Sequence, residues 1–122
     1  MTKRRVVVTG MGVVAPNAIG VSDFETALKE SRSGIRFIPE LKELNFACQV
    51  GGIPPLTEDV VAKYLSPLQM KQIQATGLVY GLVAGKEAWE NAGFPFEGEA
   101  TRWDTGCIFG SGLAGIKKIR EG

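Results

Sequence analysis

The 122-residue sequence predicts an α/β fold in which strands pair in parallel. Two short apolar segments, 5–9 and 105–109, do not alternate with polar residues and each runs into glycines, as buried strands do. Between them lies a long segment with helical caps, 67–92. The resulting order of strand, helix, helix, strand and helix is typical of parallel strands joined by helical crossovers.

The first predicted strand, 5–9, ends where residues that interrupt regular structure follow, namely Gly10, Gly12 and Pro16. A helix is predicted at about 22–30, where Ser22 and Glu25 fit a Ser-x-x-Glu capping box. Its buried stripe consists of Phe24, Ala27 and Leu28. The pair Ser33-Gly34 ends this element.

The middle of the chain contains weaker signals. Residues 35–46 are predicted to be irregular, since Pro39 lies among them. A short strand is predicted at 47–50 and is closed by Gly51-Gly52. After Pro54-Pro55, a short helix is predicted at 57–65 with Thr57 as its N-cap.

The strongest predicted element is one long helix at about 67–92. Ser66 and Gln69 fit a capping box, Pro67 occupies the favoured first position, and Gly93 supplies the C-cap. Glycines spaced four apart share one face of this helix: Gly77, Gly81 and Gly85. Each costs about 1 kcal/mol relative to alanine, so the face is predicted to receive another backbone at close range.

Composition excludes several classes of function. Fourteen basic and thirteen acidic residues give a net charge of +1, which offers no reason to expect nucleic acid or membrane as a partner. The sequence has no histidine, so no histidine base or nucleophile activator lies within it. Two widely spaced cysteines, no signal peptide and no membrane-length apolar segment predict a cytoplasmic protein of one domain.

Gly10-Met11-Gly12-Val13-Val14-Ala15 matches the glycine fingerprint of dinucleotide-binding folds. In such folds a helix begins inside the motif and directs its N-terminus at the pyrophosphate. Here Pro16 follows at once and disfavours helical angles at the residue before it. The next helix is predicted only near Ser22, so the sequence argues against a nicotinamide cofactor.

Two features near the second strand resemble catalytic motifs. Cys107 lies within the predicted strand, and we therefore expect a packed side chain rather than a nucleophile. Gly110-Ser111-Gly112 has the composition of an anion cradle at a helix N-terminus, but a tight, closely packed turn from strand to helix explains it as well. The tight turn is the preferred interpretation.

Together these residues resemble the N-terminal part of a β-ketoacyl-acyl carrier protein synthase of the FabF-like type, in the thiolase superfamily of condensing enzymes. The resemblance covers nearly the whole chain and rests on four groups of residues in order. These are Arg4–Gly12, Ser33-Gly34-Ile35, the long-helix residues from Gly81 to Gly93, and Gly110-Ser111-Gly112-Leu113. The resemblance implies that residues 1–122 form an N-terminal segment of one thiolase-like layered α/β domain, incomplete in this chain, with no second domain.

The resemblance also implies an activity, decarboxylative Claisen condensation, in which acyl and malonyl thioesters are presented by acyl carrier protein. No metal or cofactor is implied, and the whole enzyme is expected to form a homodimer or a heterodimer of ketosynthase-like chains. The catalytic cysteine and two histidines of the family come after the point that corresponds to residue 122, so no catalytic residue is assigned. The segment alone is therefore expected to be inactive.

One functional position carries over by resemblance. In the family's Gly-Ser-Gly-Ile-Gly-Gly turn the apolar residue contacts the acyl chain, so Leu113 is expected to do so, while Gly112 allows the backbone to approach closely. The chain departs from the family at Ala114 and at Asn17-Ala18. It also places only Lys71 where the family often docks its acidic carrier protein. These departures suggest a specialised synthase, for example one making polyketide or polyene chains.

An alternative of a different class is a non-catalytic ketosynthase-like partner of the chain-length factor type. The residue at the catalytic position would distinguish the two, and that position is expected beyond residue 122. In either case we expect the 122 residues to fold poorly alone and to expose apolar surface, because the strand at 6–8 and the glycine face of the long helix need partners.

Overall fold

The computed structural model describes residues 4–73, 75–94 and 104–112. Within these ranges short strands and helices mix, in agreement with the predicted α/β class. In chain order the elements are β1 (Val14–Ala15), β2 (Ala18–Ile19), α1 (Val21–Lys29), β3 (Ile35–Phe37), α2 (Pro39–Glu43), β4 (Val50–Gly52), α3 (Glu58–Tyr64), α4 (Pro67–Gln72) and α5 (Thr76–Asn91).

The strands form two antiparallel pairs. Strand β1 pairs with β2, so that Val14 lies opposite Ile19, and β3 pairs with β4, so that Phe37 lies opposite Val50. The predicted parallel pairing is therefore wrong for the part of the chain that the structure describes. Residues 16–17 alone join β1 to β2, whereas residues 38–49, which include α2, join β3 to β4. Antiparallel pairing allows the short first connection, which parallel strands could not use.

The predicted buried strands at 5–9 and 105–109 are not observed as strands. Neither segment takes part in a β-ladder among the described residues, and Val6 and Ile108 are 93% and 103% exposed. Buried parallel strands require neighbours on both edges and cover on both faces. The described elements place no strand beside either segment, so these apolar side chains remain in solvent.

The β1–β2 turn packs against the β3–β4 pair through Pro16. A Cβ at Gly34 would lie 2.6 Å from the Pro16 ring, and one at Gly52 would lie 2.7 Å from it. Both distances are far below van der Waals contact, so only glycine fits at either position. Residues 35–46, predicted to be irregular, in fact contain β3 and α2. The strand predicted at 47–50 is wrong except at Val50, because β4 spans Val50–Gly52 and includes the two glycines expected to close it.

Helix α1 begins differently from its prediction. Its N-cap is Gly20, with φ of 90°, and no side chain of its own first turn caps it, so the predicted Ser22–Glu25 capping box is wrong. The positive φ explains the choice of glycine at this position. Inside the helix, Ala27 is fully buried and Phe24 is half-buried, whereas Leu28 is 59% exposed.

The single helix predicted at 67–92 is divided in two. Ile73 and Ala75 have extended backbone angles, so α4 ends at Gln72 and α5 begins at Thr76. The sequence around the break combines two β-branched residues with a glycine, Ile73, Thr76 and Gly77, which all have low helix propensity. The predicted caps at both outer ends are nevertheless confirmed.

At the C-terminus of α5, Gly93 adopts a left-handed φ of 77°. The Phe94 N–H donates to the Trp89 carbonyl at 3.3 Å, and the Gly93 N–H donates to the Glu90 carbonyl at 2.9 Å. These two bonds define a Schellman motif. The Trp89 and Phe94 rings, 5.0 Å apart, supply the hydrophobic contact that commonly accompanies it.

The buried core of the described residues is small: α1 packs on β2, and α5 packs on β1 and α3. Its members are Ala18, Ala27, Val61, Leu65 and Val83. Helix α3 contributes Val61, and Leu65 is its C-cap residue. The predicted N-cap of α3 is confirmed because Thr57 Oγ1 accepts a hydrogen bond from the Val60 N–H. The core thus positions α5 against the N-terminal third of the chain.

The capping box of α4 offers a direct test of one predicted local feature. Ser66 Oγ accepts from the Gln69 N–H at 3.3 Å, and Gln69 Oε1 accepts from the Ser66 N–H at 2.9 Å. We expect Ser66→Ala to lower the free energy of unfolding by about 1 kcal/mol, measured by urea denaturation. Ser66→Thr keeps the acceptor oxygen and serves as the control; an equal loss in both variants would contradict the cap's contribution.

Candidate functional site

The segment 105–112 reaches α5 through one aromatic side chain. The Phe109 ring lies over Gly81, and a Cβ built at Gly81 would be 2.0 Å from Phe109 Cζ and 2.4 Å from Cε2. Gly110 and Gly112 follow directly, and a Cβ at either would meet no atom within 4 Å. Residues 110–112, the described part of the turn predicted to contact substrate, are therefore exposed and follow a ring that contacts Gly81.

Gly112 lies at a bend at the end of the described segment and is exposed, whereas Leu113 lies outside the described residues. Their expected contact with an acyl chain stays a prediction. The packing of Phe109 on Gly81 was not foreseen. The spacing of the glycines on α5 indicated a close approach there, but not which group would make it.

The closest backbone contacts of α5 lie on the predicted face, at alanines that alternate there with the glycines. A Cβ at Gly12 would be 1.9 Å from the Ala84 carbonyl oxygen, and one at Gly10 would be 2.2 Å from the Ala88 carbonyl oxygen. By contrast, a Cβ at Gly85 would meet nothing within 4 Å. The glycines that permit backbone approach therefore lie in the N-terminal segment, and alanines of α5 form the surface that receives it.

Glu87, on the same face of α5, binds two backbone groups of the N-terminal segment. Its Oε2 accepts from the Val13 N–H at 2.8 Å, and its Oε1 accepts from the Val21 N–H at 2.7 Å. Val21 is the first residue of α1, so this carboxylate satisfies a helix donor that Gly20 cannot cap. One turn further on, Asn91 Oδ1 accepts from the Met11 N–H at 3.1 Å.

The β1–β2 hairpin and the Glu87 contacts also argue against a dinucleotide-binding site at the glycine motif 10–15. The hairpin β1–β2 intervenes between Gly12 and α1, and the N–H of Val21 is already bound by Glu87. No helix therefore begins within the glycine motif, as Pro16 had indicated. The Gly10-x-Gly12 pattern serves close packing on α5.

Helix α3 is attached to α5 through Tyr64. Lys86 Nζ donates to the Tyr64 carbonyl oxygen, at the C-terminal end of α3. Partial burial raises the pKa of the Tyr64 phenol above its ordinary value, and the nearby carboxylates of Glu87 and Glu90 raise it further. Tyr64 therefore stays protonated across the physiological pH range.

A cavity of about 520 Å³ lies between the β1–β2 turn, α1 and α3. Its charged lining residues are Asp23, Arg32 and Lys63. All three are exposed, and Arg32 is already engaged with Glu30 at 2.5 Å. Neither Gly112 nor any other residue of 104–112 lines this cavity, so it is separate from the predicted substrate-binding turn.

The described side chains do not assemble a catalytic centre. Cys107 is exposed, so the expected packing of its side chain is wrong here, because the strand predicted to carry it is not formed. Cys48 is exposed as well, and the sequence contains no histidine to activate either thiol. Over the ranges described, no group of three metal-binding side chains occurs and no helix is long and apolar enough to cross a membrane.

Comparison with known proteins yields one family and a set of related synthases. A family model described as the N-terminal domain of β-ketoacyl synthase matches residues 3–121. The chain is 33% identical to 3-oxoacyl-[acyl-carrier-protein] synthase 2 of Vibrio harveyi over 123 aligned positions, with 100% of the chain and 28% of the relative covered. It is 32% identical to the synthase of the same name from Coxiella burnetii, with 99% and 28% covered.

A polyketide relative is similar to the same degree. The oxytetracycline polyketide putative β-ketoacyl synthase 1 of Streptomyces rimosus is 34% identical over 108 positions, with 88% of the chain and 24% of the relative covered. The chain thus spans about 28% of the length of the synthase 2 relatives it matches.

Proposed function

Because the chain belongs to the family of β-ketoacyl synthase N-terminal domains, we propose that the protein that carries it is a 3-oxoacyl-acyl carrier protein synthase. The observation that carries this proposal is the match over residues 3–121, almost the whole chain, rather than over one short motif. The related proteins, one named as a 3-oxoacyl-[acyl-carrier-protein] synthase and one as a polyketide β-ketoacyl synthase, support the same reaction class. Residues 1–122 then form an N-terminal segment of one thiolase-like layered α/β domain.

The proposed reaction is a decarboxylative Claisen condensation. A cysteine thiolate takes the acyl group from acyl carrier protein as a thioester. Loss of carbon dioxide from a malonyl thioester leaves a carbanion, which attacks the acyl carbonyl carbon. A carbon–carbon bond forms, the bond to the cysteine sulfur breaks, and oxyanion stabilisation lowers the barrier. Since these 122 residues contain no histidine, the two histidines that assist decarboxylation have to lie outside them.

The described residues support this proposal through the surface they expose. Val6, Val7 and Val8 are 93%, 68% and 84% exposed, and Ile108 is 103% exposed. Two such apolar segments, each anchored to α5 by its end, fit strands of a larger sheet that the rest of a layered domain would cover. We further propose a cytoplasmic enzyme that acts as a homodimer or as a heterodimer of ketosynthase-like chains, with acyl carrier protein as partner.

The test is a condensation assay on the full-length protein. We expect purified full-length protein to release carbon dioxide from malonyl-carrier protein and to form 3-oxoacyl-carrier protein when an acyl-carrier protein is present. The isolated segment 1–122, assayed at the same concentration, is expected to produce neither. Lack of decarboxylation and condensation by correctly folded full-length protein would contradict the proposal and favour a non-catalytic partner subunit.

A further inference from the structure

We draw no further inference here: the strongest candidate, the cavity of about 520 Å³ between the β1–β2 turn, α1 and α3, carries nothing, because its charged lining side chains, Asp23, Arg32 and Lys63, are all exposed, Arg32 is paired with Glu30, and nothing in the structure shows what would fill it.

Discussion

Among the glycines that the structure describes, Gly12 is the one whose replacement by alanine is expected to destabilise the protein most. The new Cβ would lie 1.9 Å from the Ala84 carbonyl oxygen and 2.8 Å from the Ala88 nitrogen. Both are backbone atoms of α5, so no side chain can rotate away, and the N-terminal segment has to separate from the helix. We expect a loss of about 3 kcal/mol in the free energy of unfolding, at the upper end of overpacking effects.

The measurement is urea denaturation of the full-length protein, with Gly85→Ala as the matched control. Both variants add one methyl group, but the control adds it to open space inside a helix and is expected to be neutral or stabilising by about 0.5–1 kcal/mol. Equal midpoints for the two variants would mean that Gly12 does not pack on Ala84. Gly10→Ala, whose Cβ would lie 2.2 Å from the Ala88 carbonyl oxygen, is expected to behave like Gly12→Ala.

Glu87→Ala is expected to have the second largest effect, because it leaves two partly buried N–H groups without their acceptor. The carboxylate binds the N–H groups of Val13 and Val21 with separate oxygens, at 2.8 and 2.7 Å. Hydrogen bonds to a charged group contribute roughly 1.5–3 kcal/mol each, and an unsatisfied buried donor costs a similar amount. We expect the free energy of unfolding to fall by about 3 kcal/mol.

The variant Glu87→Gln removes the charge of the side chain but keeps one of its two acceptor oxygens. Glutamine has one acceptor oxygen and an NH2 group that only donates, so one of the two N–H groups loses its bond. We expect an intermediate loss of about 2 kcal/mol, measured by the same denaturation experiment. Glu90→Gln removes an equal charge from the same helix and is expected to change stability by less than about 0.5 kcal/mol. If Glu87→Gln lowered the free energy of unfolding no more than Glu90→Gln does, the hydrogen bonds from the Val13 and Val21 N–H groups to Glu87 would be absent in solution.

Features of the fold that depend on neighbouring residues could be predicted from the sequence. The Ser66–Gln69 capping box, the Thr57 N-cap and the left-handed Gly93 each involve groups within five residues of one another. Their chemistry is local, so composition and spacing are sufficient to identify them. The family resemblance, drawn from ordered groups of residues across the chain, was confirmed by the family match over 3–121.

Features that depend on distant residues could not be predicted. The start of α1 was misplaced because Glu87, 66 residues from Val21, supplies the acceptor that a local capping box would have supplied. The strands at 5–9 and 105–109 were expected to be buried, but burial depends on which elements cover them rather than on their own sequence. The glycine stripe on α5 correctly indicated a close approach at Gly81 and wrongly suggested one at Gly85, since spacing alone does not identify the partner.

The contacts of α5 with Met11, Val13 and Val21 also constrain the order in which the chain can fold during synthesis. The bonds at Met11 and Val13 join residues 80 and 74 positions apart. A ribosome adds about 5–20 residues per second, so the N-terminal segment waits on the order of several seconds for its partner helix to be made. Val6, Val7 and Val8 are exposed during that interval, and they stay exposed in the described structure after α5 has packed. The N-terminus of the nascent chain is therefore an expected binding site for chaperones that recognise extended apolar segments.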